Sequence, residues 1–139
     1  MFHSMLQRIR FSADDILYII GDVIDRGQDG IGLLQEIMRT PNIRMLLGNH
    51  EYMMLQYYGT EATAVEVLRW GRNGNTPTVS AFESLSKIQQ KEILDYLESL
   101  CTHEMSTVGE KKFYLVHGFP GEKVHDEVWI RPNLLWKNK

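Results

Sequence analysis

Three features of the sequence predict an α/β fold. Short apolar runs rich in β-formers lie at Ile16–Ile20 and Ile43–Leu47, an amphipathic stretch of helical period separates them, and a glycine follows each run directly. Strand, helix and strand in succession make a βαβ unit, whose crossover is right-handed in about 98% of cases and leaves the two strands parallel. A continuous apolar run is the pattern of a strand covered on both faces, and Ile16–Ile20 is expected to be one.

The remaining elements follow in order along the chain. Phe2, Met5, Leu6 and Ile9 recur at helical spacing, so the chain opens inside an amphipathic helix with no cap before it. A polar turn at Ser12–Asp15 leads into the first strand, and Gly21 ends it. Asp29 is a natural N-cap and Pro41 a stop, with Ile31, Leu34 and Met38 between them as the buried stripe.

After the second strand the middle of the chain reads as helical, from Asn49 to Tyr58 and from Thr60 to Trp70. The polar loop Gly71–Asn75 precedes Thr76–Pro77, read as an N-cap with proline at the first helical position. Ser86 and Gln89 form a capping box for a helix running to Cys101 through Ile93, Leu94, Leu97 and Leu100. Thr102–Val108 and Lys111–His117 then read as two strands of an antiparallel hairpin. Gly109–Glu110 between them suits a type II′ turn, which wants glycine first.

Composition narrows the function classes. The 139 residues are 43% hydrophobic and 24% charged, which is the balance of one globular domain. Fifteen basic against eighteen acidic side chains leave a formal charge of −3, so the long-range field does not favour nucleic acid. No apolar run approaches the roughly 20 residues of a membrane span, and the opening residues lack a secretory pattern. A soluble, cytoplasmic protein with no membrane partner is the expectation. The single Cys101 excludes an internal disulfide and multi-cysteine zinc sites, leaving His, Asp, Glu and Asn as metal ligands.

Chemistry concentrates at three strand ends: Gly21–Asp22, Gly48–Asn49–His50 and His117–Gly118. In open α/β sheets ligands bind in the crevice beyond the carboxyl ends of strands. A carboxylate, an amide oxygen and an imidazole brought together there suit Mn, Fe or Zn. Asp25 and Arg26 share the loop of Asp22. Arginine offers a planar fork for phosphate oxygens, and His50 is placed to give a proton to a leaving oxygen with Asp25 orienting its ring.

The blocks Gly21-Asp22-Val23-Ile24-Asp25-Arg26-Gly27, Gly48-Asn49-His50-Glu51 and His117-Gly118 resemble the calcineurin-like metallophosphoesterases, in particular the bacterial serine/threonine phosphoprotein phosphatase branch. The likeness extends through Trp70–Gly74 to Trp129-Ile130-Arg131-Pro132. It implies an α/β sandwich and phosphoester hydrolysis by in-line attack of a metal-activated hydroxide. By the resemblance Asp22 bridges two metals, Asn49 and His117 hold the second, His50 is the catalytic histidine supported by Asp25, and Arg26 binds phosphate. Manganese is the expected metal, with iron or zinc as alternatives, and the expected substrate is a phosphoprotein or small phosphoester.

The resemblance also implies an Asp-x-His upstream of Met1 and a Gly-His beyond Lys139. The expectation is therefore one domain over residues 1–139, clipped at both ends, with an incomplete dinuclear centre and uncovered sheet edges through which copies self-associate. Two other functions stay open: a dinucleoside polyphosphate hydrolase of the same superfamily, and an inactive fragment acting as a binding module.

Several residues carry two readings each. Trp70, Arg72 and Asn73 either line a substrate cleft or, for the tryptophan, plug a core. Arg131 is a second phosphate contact by resemblance, beside its reading as a surface arginine. Glu51 is expected to support the metal ligands from behind, Met53 and Met54 to be helix core, and His103 and His125 to be solvated surface residues.

Overall fold

Apolar side chains at helical and strand spacing set the elements, and polar caps set their ends. The computed structural model describes residues 1–121 and 123–129. In chain order they form α1 (Phe2–Arg8), β1 (Leu17–Ile19), α2 (Gly30–Arg39), β2 (Ile43–Met45), α3 (Asn49–Tyr58), α4 (Ala64–Arg72), α5 (Thr76–Glu83), α6 (Lys87–Ser99), β3 (His103–Val108), β4 (Lys111–Val116) and α7 (Val124–Val128).

β1 and β2 pair in parallel, Leu17 opposite Ile43 and Ile19 opposite Met45, with α2 as the crossover. The Asp29 side chain accepts from the Gly32 amide at 3.1 Å, so the expected cap starts α2. β3 and β4 form a separate antiparallel pair, His103 opposite Val116 through Val108 opposite Lys111. At their turn Gly109 has φ of 60° while Glu110 stays out of the left-handed region, the signature of type II′.

The core forms where α2, α3, α4, α5 and α6 meet β2. Ile31, Leu34 and Ile37 of α2 face Ile43 and Met45 of β2, and Met53 and Met54, Trp70, Phe82, Ile93 and Leu97 close the cluster. Both methionines are core, as their helical spacing implies. Trp70 packs edge-on against Tyr57 and Tyr58, and Tyr58 in turn against Phe82. Burying each large apolar side chain contributes about 1.5–3 kcal/mol.

Several boundaries differ from the sequence reading. The first strand is shorter than Ile16–Ile20, and it is not covered on both faces: Ile16 is 52% and Ile20 42% exposed. Among the described residues β1 pairs only with β2, so its other edge has no partner strand. The fourth helix begins at Ala64, not Thr60, because Thr63 and Glu66 form a reciprocal capping box, with Thr63 N donating to Glu66 Oε2 at 2.8 Å. It also runs through Gly71 to Arg72, which shortens the expected polar loop to residues 73–75. Asn75 takes the cap position expected of Thr76, and α6 stops at Ser99 short of Cys101.

Leu34 is fully buried and Ile88 is 73% exposed. Leu34→Ala is therefore expected to lower the unfolding free energy by about 2–5 kcal/mol, against a change within about 0.5 kcal/mol for Ile88→Ala. Denaturant titration of the two variants measures this, and equal losses would contradict the assigned core.

Candidate active site

Because β1 and β2 run parallel and side by side, the chain leaves both at the same end of the pair. Gly21 and Gly48 meet there backbone to backbone: a Cβ on Gly21 would lie 2.4 Å from Gly48 Cα, and one on Gly48 2.5 Å from the Asp22 nitrogen. Gly21 also has φ of 70°. Only glycine satisfies both demands. The loop beyond is left-handed at three residues that carry side chains, Asp22 (φ 58°), Asp25 (φ 67°) and Arg26 (φ 55°), a conformation that costs of order 1–3 kcal/mol per residue and persists only when its surroundings impose it.

Glu51 imposes much of it. It occupies the third position of α3, is fully buried, and accepts four backbone N–H groups. Oε2 receives Asp22 N at 2.9 Å and Gly48 N at 3.2 Å, and Oε1 receives Val23 N at 2.8 Å and Ile24 N at 3.2 Å. Burial pushes this carboxyl above its ordinary range, and the amides of Asp22, Ile24 and Val23 pull it back down. Asp25 N, the next donor along, reaches Thr78 Oγ1 at 2.9 Å.

The loops bring the expected metal ligands together. His117 leaves β4 with Nδ1 2.7 Å from the Ile20 carbonyl, which can only accept, so Nδ1 carries the proton. In the neutral ring Nε2 is then a lone pair, and it faces Asn49 Oδ1 at 2.9 Å and Asp22 Oδ1 at 3.4 Å. Donors bonded at about 2.0–2.2 Å to one ion and about 90–110° apart stand roughly 2.8–3.6 Å from one another. An imidazole whose other nitrogen donates to a backbone carbonyl is also the usual form of a ligating histidine. The trio therefore fits a divalent transition metal, with an amide oxygen as third donor. Among the described residues no group of three His, Cys, Asp or Glu side chains forms such a set.

Beside the trio, His50 Nδ1 lies 2.6 Å from Asp25 Oδ2, with both side chains buried. The bond to Asp25 raises the His50 pKa above its ordinary value, and burial opposes the rise. Trp70 Nε1 donates to the same Asp25 oxygen at 2.7 Å. The loop after β1 and the start of α3 are also joined, since His50 N donates to Asp22 Oδ1 at 3.3 Å. Arg26 is exposed at the crevice, its backbone N and its Nε directed at the carbonyls of Gly74 and Asn73 in two long contacts of 3.5 Å.

Asp22, Asp25, Arg26, Asn49, His50 and His117 are thus gathered at one place. Arg72 and Asn73 are not drawn in equally. Asn73 spends its side-chain amide on the Arg69 carbonyl at 2.7 Å and meets Arg26 only through its backbone, while Arg72 lines a shallow groove with Val65, Leu68 and Arg69. Arg131 lies outside the described residues. Trp70 sits in α4 as a buried core residue, which answers the choice between plug and cleft wall. The sequence reading missed Thr78 and the reach of Trp70 to Asp25, because neither bond has a local signature.

It also missed Glu127. This buried carboxylate accepts from Tyr114 Oη at 2.7 Å and from Thr102 Oγ1, and pairs with His103 Nδ1 at 2.9 Å. His103 stacks on Tyr114 at 5.0 Å yet its side chain stays 47% exposed, so it is the surface residue expected, with a pairing to Glu127 that the sequence did not show. The backbone carbonyls of Glu127 and Asp126 accept Gly118 N and Phe119 N at 2.6 and 3.0 Å, which ties α7 to the turn following His117.

Fold and crevice define a class: an α/β protein with side chains of a kind that can ligate metal gathered at strand ends. The chain belongs to the calcineurin-like phosphoesterase family, whose match covers residues 2–139. Its similar proteins include a symmetrical bis(5′-nucleosyl)-tetraphosphatase of Nitrosomonas europaea, 30% identical over 84% of this chain and 38% of that protein. Another, from Wigglesworthia glossinidia brevipalpis, is 44% identical over 41% of this chain and 22% of its own length. A third, from Delftia acidovorans, is 41% identical over 39% and 20% respectively. The chain thus spans well under half the length of these curated relatives.

Because the His50 pKa is raised on folding, the Asp25 pair contributes stability that is complete below the unfolded value of about 6.5 and is lost as pH rises through the higher folded value. The stability gap between the wild-type protein and Asp25→Asn, measured by denaturation with chelator present, is expected to be wider at about pH 6 than at about pH 9. A gap that is flat or widens toward alkaline pH would contradict the pairing.

Proposed function

We propose that the protein hydrolyses phosphoesters in this crevice with divalent metal ions, manganese first and iron or zinc as alternatives, in the cytoplasm. The observation that carries the reading is the convergence of Asp22, Asn49 and His117 as three acceptors with no donor among them, directly beside the buried Asp25–His50 pair. Asp22, Asn49 and His117 would hold metal, with Asp22 the residue assigned to bridge two ions. When bound, the ions supply Lewis-acid polarisation of the phosphoryl group and stabilise its negative charge.

The chain's own residues do the rest. Arg26 presents its guanidinium to the phosphate oxygens, and the resemblance adds Arg72, Asn73 and Arg131 as further substrate contacts. His50 has Nδ1 committed to Asp25, so Nε2 is the nitrogen left to protonate the leaving oxygen, and the bond to Asp25 shifts the ring toward its protonated form. A held proton matters most for a leaving group that cannot depart as an anion. Serine or threonine alkoxide is such a group, which favours phosphoprotein as substrate.

A second reading, hydrolysis of dinucleoside polyphosphates, is favoured by the similar proteins, which are named as symmetrical bis(5′-nucleosyl)-tetraphosphatases. The two differ in the demand on His50, since a nucleotide leaves readily as an anion. His50→Ala is expected to slow a phosphoserine peptide by about 10²–10⁴, and p-nitrophenyl phosphate far less. Steady-state turnover with manganese on both substrates, and on a dinucleoside tetraphosphate, measures this. Equal losses on peptide and nitrophenyl ester would contradict the acid role, and turnover of the dinucleotide alone would favour the second reading.

Manganese affinity offers a check without catalysis. His117→Ala removes one of three converging donors and is expected to weaken calorimetric binding by at least about 10-fold. Undiminished binding would place the metal elsewhere.

A further inference from the structure

We propose that Trp70 is a positioning residue, its indole N–H holding the Asp25 carboxylate in the orientation that keeps His50 aimed as a proton donor. The proposal rests on the phosphoester-hydrolysis reading above. Asp25 lies in a loop that is left-handed at both residues 25 and 26, so local conformation does not fix its side chain. What surrounds it comes largely from one segment of the chain, residues 70–78. Trp70 donates to Oδ2, Thr78 Oγ1 accepts the Asp25 amide, and the carbonyls of Asn73 and Gly74 face Arg26.

The pattern at the carboxylate is asymmetric. Oδ2 receives both His50 Nδ1, from α3, and Trp70 Nε1, from α4, at 2.6 and 2.7 Å. Oδ1 is buried and, among the described residues, has no hydrogen-bond partner. Held by His50 alone, a carboxylate can rotate and exchange one oxygen for the other. Two donors arriving at the same oxygen from different helices stop that rotation. The indole can serve as a fixed peg because it cannot itself move: it is fully buried, with Tyr57 edge-on at 5.0 Å and Tyr58 at 6.0 Å. Filling the core needs only the rings, whereas the N–H is what reaches the active-site carboxylate.

Two substitutions test this. Trp70→Phe keeps an aromatic plug and removes the donor. Benzothienylalanine at position 70, with sulfur in place of the indole N–H, keeps the shape as well and serves if Trp70→Phe does not fold. With manganese, each is expected to lower kcat on a phosphoserine peptide by about 10²-fold, the scale of a displaced catalytic group. KM should stay within about 3-fold, and kcat on p-nitrophenyl phosphate should fall much less, because its leaving group needs no proton. A purely structural loss would lower both substrates together.

The second readout needs no turnover: the His50 Nδ1 proton, observed by NMR in the metal-free protein, should exchange with solvent faster in either variant. A folded variant with equal losses on the two esters and unchanged exchange overturns the proposal. If the wild-type protein hydrolyses neither ester, the phosphoester-hydrolysis reading fails on its own. The proton exchange then decides the positioning of His50, and an unchanged rate overturns it.

Discussion

One buried carboxylate holds the two halves of the crevice together. The ladder between β1 and β2 ends at the bond from Leu46 N to the Ile19 carbonyl, and beyond it, among the described residues, no backbone bond joins the two loops. Glu51 replaces that ladder with four N–H bonds, two to each oxygen, drawn from Asp22, Val23, Ile24 and Gly48. It thereby caps its own helix and anchors the neighbouring loop with one side chain. Unpaired, a carboxylate so deeply buried would be strongly destabilising, and the same burial makes each bond to it stronger than it would be in water.

The consequences run outward from this clamp. With Asp22 N and Gly48 N both fixed to Oε2, the side chains of Asp22 and Asn49 leave adjacent points and meet His117. The left-handed backbone at Asp22, Asp25 and Arg26 is tolerated because Glu51 and Thr78 take the amides it exposes. Behind Asp25 lies the aromatic packing of α3, α4 and α5, so the acid–base pair is built on the rigid core while Arg26 stays open to solvent. On the far side, α7 secures the turn after His117 through its backbone carbonyls and through Glu127. Three separate parts of the chain are thus each held from behind by the fold.

Features with local causes were legible in the sequence. The βαβ unit, the Asp29 cap, the Ser86–Gln89 box and the type II′ turn all follow from residues within a few positions of one another, and all are present. The gathering of Asp22, Asn49 and His117 was legible through topology, since strand ends must come together. Features set by distant partners were not. Trp70 and Asp25 lie 45 residues apart, and Thr78 and Asp25 53, so no periodicity marks either bond. His103 is at the surface as read, but its pairing with Glu127 was not legible because that partner sits beyond the hairpin. The Thr63–Glu66 box, by contrast, was a local signal passed over, and it moved the start of α4 by four residues from Thr60.

The account depends most on Glu51, and amide hydrogen exchange in Glu51→Gln tests it directly. An amide side chain keeps the size but turns one oxygen into an N–H₂ group that faces two donors. The amides of Asp22 and Gly48, or those of Val23 and Ile24, should lose protection as a pair, and manganese binding should weaken while the far-UV circular dichroism is retained. Unchanged protection at all four amides with undiminished manganese affinity would show that the crevice is held by something other than this carboxylate.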